Sequence, residues 1–388
     1  LLGGWALLPE PALRTRLAAL DERGDAARLS PEALAGARRL FARALETPGG
    51  LKIQTIHAFC GAALRRFPLE AGVSPDFSEL DEPAQAQLVE RALERLAADA
   101  EAGTNDAFDG VAAHLAEEAL SDLVQKVLAE RAQFRDPPAP ATLCAAFGLH
   151  ETDLAEDTLA AMWRRIDLAA LSDAVTALSA GSKTDADLGA AIARALRDDD
   201  PTTLAEAFLR KDGKPRSLRS LPTKATAKQH PWLVGWIADI AGTALMALER
   251  ANACAAAARA IALNRFGAAF LSAYEEEKRA RAALDFDDLI RATLALLEDP
   301  DAGAWALFKL DGGIDHLLVD EAQDTAPEQW RLVKALIAEF AAGAGTREGR
   351  TLFVVGDEKQ SIYSFQGAEP RLFGENADWF ASRLAASP

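Results

Sequence analysis

Residues 317–324 read Leu317-Leu318-Val319-Asp320-Glu321-Ala322-Gln323-Asp324. Three apolar residues predict a short buried strand, and two acids follow at its end, where a strand meets solvent. In a nucleotide hydrolase that spacing has a chemical reason. Asp320 can hold Mg²⁺, directly or through water, and Glu321 can orient and deprotonate the attacking water. The plain alternative is a strand that runs into an acidic turn, and a second stretch further along the chain weighs against it.

From Thr351 the chain runs Thr351-Leu352-Phe353-Val354-Val355-Gly356-Asp357-Glu358-Lys359-Gln360-Ser361-Ile362-Tyr363-Ser364-Phe365-Gln366-Gly367-Ala368. An apolar run again stops at a polar turn, Gly356-Asp357. A polar side chain just past a strand end, as at Gln360, can reach a terminal phosphate. Tyr363 and Phe365, two apart in a loop, can present flat faces to unpaired bases; ordinary core packing is the competing reading for both. Between the two apolar runs, Thr325-Ala326-Pro327-Glu328 reads as a capping box. Trp330, Val333, Leu336, Ile337 and Phe340 then give one apolar helix face. Strand, helix, strand predicts a parallel sheet, and ligands of such sheets bind beyond the carboxyl ends of the strands.

Upstream, residues 5–46 read as helices with starts at Pro9 and Pro31. After Gly49-Gly50, Leu51 to Thr55 reads as a short strand, and Thr55 is placed to cap a helix from about Ile56 to Phe67. A capping Thr and a His in the first helical turn can grip a phosphate; the plain reading of His57 is a satisfied core histidine. Thr55, Asp320-Glu321 and Asp357-Gln360 would then all follow strands and gather at one sheet edge. Residues 76–282 carry almost no strand signal and read as Ala-rich helices, with Leu88, Leu93 and Leu96 and later Leu115, Leu120, Leu123 and Val127 at helical spacing. A helix from about Ala255 to Ala283 leads into Asp285-Phe286-Asp287-Asp288. That acidic cluster reads as helix capping with no catalytic role.

The chain has 388 residues, 49% hydrophobic and 26% charged, enough for two or more domains with a sizeable core. No apolar run reads as long enough to cross a bilayer, and the N-terminus shows no signal-peptide pattern. Cys60, Cys144 and Cys254 have neither zinc spacing nor a disulfide framework, which suits a reducing cytoplasm. A formal net charge of −17 argues against a simple nucleic-acid coat protein, although local charge decides groove binding. Residues 210–230 break the acidic trend with Arg210, Lys211, Lys214, Arg216, Arg219, Lys224 and Lys228 against Asp212 alone. They read either as a loop that touches DNA phosphates or as a solvated, partly disordered surface loop.

Taken together, the two motifs resemble the UvrD/Rep type of superfamily 1 helicase. Asp320-Glu321-Ala322-Gln323-Asp324 looks like its Walker B motif, and Gly356 to Tyr363 looks like its motif III. Thr55-Ile56-His57-Ala58-Phe59-Cys60 is similar to its single-strand-contacting Thr-x-His-x-Phe segment, and Leu284 to Leu289 to its Asp-Phe-Asp-Asp-Leu segment. His316 and the run Ser364 to Pro370 are most similar to the AddA subunits of bacterial double-strand-break repair helicase–nucleases.

The resemblance implies an α/β fold: a partial RecA-like parallel sheet (lobe 1A, residues 1–75 and 284–388) with a large all-helical insertion (subdomain 1B, residues 76–283). It implies ATP and Mg²⁺ as cofactors and 3′→5′ translocation on single-stranded DNA with duplex unwinding. The implied partners are DNA and an AddB-like subunit. Asp320 would bind the metal, Glu321 would activate water, and Gln360 would sense the γ-phosphate with Asp357 beside the nucleotide. Thr55, His57, Tyr363, Phe365 and Gln366 would meet the strand. Gln366 stands where the family often has Arg, which removes a positive charge from the DNA track. The phosphate loop Gly-x4-Gly-Lys-Ser/Thr is not found. Gly181-Ser182-Lys183-Thr184 lacks the Gly before Lys and lies in the helical part. The expectation is therefore a central fragment of a motor, inactive alone. A non-enzymatic single-stranded-DNA-binding or interaction module derived from a helicase is the alternative, and intact Asp320, Glu321 and Gln360 weigh against it.

Overall fold

The computed structural model describes residues 2–20, 29–46, 53–115, 119–155, 157–311, 314, 316–338, 350–360 and 371–384. The chain forms two compact units, Leu1–Glu79 with Leu284–Pro388, and Leu80–Ala283.

The Leu80–Ala283 unit is built on one helix, Trp232–Ala280, of 49 residues. The sequence reading starts this helix only near Ala255. Gly235 and Gly242 stand inside its first turns with nothing near where a Cβ would be. Burial of Leu233, Ile237, Ile240, Ala241 and Ala244 on one face carries the helix through both glycines. That half packs on Leu171, Leu178, Leu188, Ile192, Leu204 and Phe208 from shorter helices. The far half contributes Phe266, Phe270 and Tyr274 to a second core with Leu88, Ala92, Leu96 and Val127. The three aromatic rings stack at successive turns, with centroids 6.1 Å apart. Between the halves, Ala257 packs on Cys144 and Leu149.

One compositional reading needs correction. By length and composition this helix does contain a stretch apolar enough to cross a bilayer, contrary to the sequence reading. Its apolar residues include those named in the three cores.

The basic segment is folded in place. Leu209 bridges Pro215, Lys224–Gln229 is a helix, and Thr223 and Thr226 hydrogen-bond the buried Asp185. Asp185 also completes a capping box with Ser182. Gly181-Ser182-Lys183-Thr184 is thus an ordinary helix start.

In the other unit, Leu2–Leu7, Glu10–Ala18 and Pro31–Leu45 close over Trp5, Leu13, Leu34 and Ala37. Pro9 and Pro31 do mark starts, since their fixed φ suits the first positions of a helix. Ile56–Arg66 and Phe286–Glu298 share a core of Cys60, Leu64, Phe67, Leu289, Leu294 and Leu297. Pro327–Ala338 has two buried faces. Leu332 and Leu336 join that core, while Trp330, Val333 and Ile337 meet Val319 and Phe380. Phe340, expected on the same helix, lies outside the described residues.

The strands His316–Val319 and Thr351–Val354 pair in parallel, with His316 opposite Thr351 and Val319 opposite Val354. Strand, helix, strand therefore yields the small parallel sheet its pattern predicts. The sheet is thin: Leu318 and Phe353, opposite each other, remain 66% and 59% exposed. The strand expected at Leu51–Thr55 is not formed over 53–55, which have no regular structure, and Ile53 is 86% exposed. With no neighbouring strand to receive it, a short apolar run has no ladder to join.

Candidate functional site

The acid pair takes its position from the ends of the two strands. Past the paired residues, Val355 N–H donates to Val319 O at 2.9 Å and Ala322 N–H donates to Val355 O at 2.9 Å. The chain must turn between these two bonds, and it does so at Glu321, whose φ of 50° and ψ of 42° are left-handed. A non-glycine residue is uncommon there and the conformation is strained, a feature that clusters at functional sites. The turn leaves both Asp320 and Glu321 exposed. Asp320 Oδ1 accepts from the Glu321 N–H at 3.0 Å, which fixes the aspartate side chain over the turn.

Gln323 follows in a single 3₁₀ turn and is only 2% exposed. Its Nε2 donates to Glu321 Oε2 at 2.7 Å and approaches Asp324 Oδ2 at 3.4 Å. Its Oε1 accepts from the Asp357 N–H at 2.9 Å. Asp357 in turn organises the next turn: its carboxylate accepts from Lys359 N–H and from Gln360 Nε2, each at 3.0 Å. Glu321, Gln323, Asp357 and Gln360 thus form one hydrogen-bonded chain across the carboxyl ends of both strands. Gly356 permits the approach, because a Cβ there would lie 2.7 Å from Gln323 Oε1 and 3.1 Å from Gln323 N.

Of the residues expected at the site, Asp320, Glu321, Asp357 and Gln360 lie together at these strand ends. Tyr363, Phe365 and Gln366 lie outside the described residues. Thr55 and His57 belong to a different local setting. Thr55 Oγ1 accepts from Ala58 N–H at 3.1 Å and caps the helix Ile56–Arg66. His57 packs at 4.9 Å from the Phe286 ring. Burial lowers its pKa, and the charges of Asp287 and Glu79 pull it partly back. Among the described residues no hydrogen bond or ion pair joins Thr55 or His57 to the Asp320–Gln360 group, so the expected shared sheet edge is not formed at Thr55.

Two further local expectations meet different outcomes. Asp285 and Asp288 form a reciprocal capping box at the start of Phe286–Glu298. The box expected at Thr325–Glu328 is displaced by one residue. The helix starts at Pro327, and Gln329 Oε1 accepts from the Ala326 N–H at 3.1 Å. Gln323 is the residue that sequence reasoning left without a role. Its signal was a long amide directly behind two acids, but its partner lies 34 residues away.

The donor set suits a hard divalent cation shared with a phosphate ligand. Among the described residues no group of three or more His, Cys, Asp or Glu could form a metal cage. Mg²⁺ needs none: it keeps several waters and is bound through one or two carboxylates plus substrate phosphates. Asp320 offers such a carboxylate at the strand end. Beside it, Asp324 Oδ1 is buried without a hydrogen-bond partner among the described residues, a spare acceptor at the same turn.

Comparison with known proteins agrees with this arrangement. Residues 14–381 match the UvrD/REP helicase N-terminal domain. The chain is 28% identical over 382 residues to the ATP-dependent helicase/nuclease subunit (AddA) of Lactobacillus delbrueckii subsp. bulgaricus, a match covering 86% of this chain and 30% of that protein. It is 38% identical over 125 residues to the protein of the same name from Levilactobacillus brevis, covering 32% of this chain and 9% of the relative. For the Geobacillus thermodenitrificans protein the figures are 40% over 110 residues, 27% and 8%. The chain thus spans less than a third of the length of these relatives. Because the family match runs through almost all of it, the chain belongs to the UvrD/REP helicase N-terminal domain family.

Proposed function

We propose that this chain forms part of an ATP-dependent 3′→5′ DNA helicase or translocase motor that acts in double-strand-break repair and recombination. In this reading residues 1–75 and 284–388 belong to a RecA-like lobe 1A, and 76–283 are the helical insertion 1B. The larger protein works in the cytoplasm on single-stranded and duplex DNA, and its partner is an AddB-like subunit. The names and lengths of the relatives support that setting.

The observation that carries the proposal is the hydrogen-bonded chain Glu321–Gln323–Asp357–Gln360. It ties two acids at one strand end to a polar side chain at the next, where an α/β sheet binds its ligand. When bound, Mg²⁺-ATP supplies the phosphoryl group to be attacked and the metal neutralises charge on its oxygens. Asp320 holds the cation, directly or through water. Glu321 accepts the proton of the attacking water. Gln360, oriented by Asp357, meets the γ-phosphate. Tyr363 and Phe365 stack on bases, Gln366 follows them along the strand, and Thr55 and His57 hold its backbone. The isolated chain is expected to hydrolyse ATP negligibly.

The test is Glu321→Gln in the whole protein that carries this chain. Loss of a general base costs about 10²-fold or more in rate. DNA-stimulated ATPase is therefore expected to fall by at least that factor, with ATP binding by equilibrium titration changed little. Normal hydrolysis by the variant would remove Glu321 from the role given to it.

A further inference from the structure

The geometry points to Gln323 as a positioning residue: one buried carboxamide sets the Glu321 carboxylate and couples it to the Asp357–Gln360 turn. The inference rests on the hydrolytic reading of the site and adds to it a residue with no contact to substrate. A primary amide that is 2% exposed is costly unless both its ends are bonded. Here both are. The orientation is also forced. The Asp357 N–H can only donate, so it must face Oε1, and ionised carboxylates can only accept, so they must face Nε2. The carboxamide cannot flip without setting like against like at both ends.

The second acceptor gives this device two positions. Nε2 lies 2.7 Å from Glu321 and 3.4 Å from Asp324 Oδ2. When Glu321 turns toward a water molecule, Asp324 can take up the released donor, and no buried N–H is orphaned. At the other end Oε1 keeps its hold on the Asp357 N–H. A shift of the Gln360 turn is thereby felt at Glu321, and the reverse also holds. Gly356 keeps the two strand ends close enough for this contact.

The experiment uses the whole protein with three substitutions. Gln323→Leu keeps the bulk and removes both bonds. Its kcat for DNA-stimulated ATPase is expected to fall about 10-fold or more with KM for ATP within about 3-fold, the pattern of a lost transition-state interaction. Placed on Glu321→Gln, the same change should add less than about 2-fold, because residues that act as a unit are not additive. Gln323→Glu keeps an acceptor for Asp357 but sets a negative charge beside Glu321. It should move the acid limb of the kcat–pH profile upward by about one unit. It also carries the test should Gln323→Leu not fold, as judged by thermal unfolding.

Hydrogen exchange supplies a reading independent of activity, in which the Asp357 amide should exchange about 10-fold faster in Gln323→Leu. Wild-type kcat, an equal loss in the Glu321→Gln background, or unchanged Asp357 exchange would each overturn the assignment. If Glu321→Gln alone kept full ATPase, the proposed base would fall, while the exchange reading would still decide whether Gln323 bridges the two turns.

Discussion

His57 shows how burial selects the form of a side chain. Its ring leans on Phe286, and withdrawal from water lowers its pKa more than Asp287 and Glu79 raise it. At neutral pH the ring is uncharged, so the DNA contact proposed for it is a hydrogen bond and not an ion pair. The linkage has a definite sign. The folded pKa lies below the unfolded value of about 6.5, so the stabilisation is complete above that pH and is lost as pH falls through the folded value. Ring-proton NMR should place the His57 midpoint below the ordinary histidine range. Asp287→Asn should lower it further, and an upward move would reverse the electrostatic account. At this scale Asp320, Glu321, Asp357 and Gln360 were legible because each follows an apolar run. Gln323 was not, because nothing local says which backbone N–H its oxygen will meet.

Elements were legible where their chemistry spans three or four residues. Thr55 capping Ala58, and Asp285 with Asp288, are bonds that close within one turn. The displaced box at Ala326–Gln329 shows the limit: adjacent residues offered two registers, and the helix took the one with Pro327 at its first position. The missing strand at 53–55 depended on neighbours that a local pattern cannot supply. Asp185 is the clearest long-range case. It is fully buried, and it accepts from Thr223 N–H at 2.9 Å, from Thr226 Oγ1 at 2.7 Å and from Ser182 Oγ at 3.0 Å. Burial pushes its pKa up, but the bonds from Thr223, Thr226 and Ser182 together outweigh it and leave the carboxyl below the usual range. Its contribution is complete above the unfolded value of about 3.9 and is lost as pH falls through the lower folded value. Asp185→Ala leaves several buried donors unmet and is expected to cost about 2–4 kcal/mol in chemical unfolding. Limited trypsin digestion should then cut within 210–219. Unchanged stability and an intact segment would show that Asp185 does not hold it.

Across the whole chain, a net charge of −17 means that any attraction to DNA must come from local surface. The segment 210–230 concentrates seven cations in a folded setting rather than in a loose loop. Family membership was legible because four short motifs keep their order along the chain. The length of the Trp232–Ala280 helix was not, since packing and not composition carries it through Gly235 and Gly242. That helix has a consequence of phase. Its Leu248 side lies against one core, while Ala253 and Ala257 lie against the next and Phe266 against a third. Each residue advances the helix by about 100° and 1.5 Å. A single Ala inserted after Ala251 therefore turns the second half by about 100° against the first, and heat unfolding should lose its single sharp transition. Seven inserted residues turn it by only about 20° and should keep that transition. The helix acts as a screw thread, cut so that three apolar stripes meet three sets of partners only at one pitch.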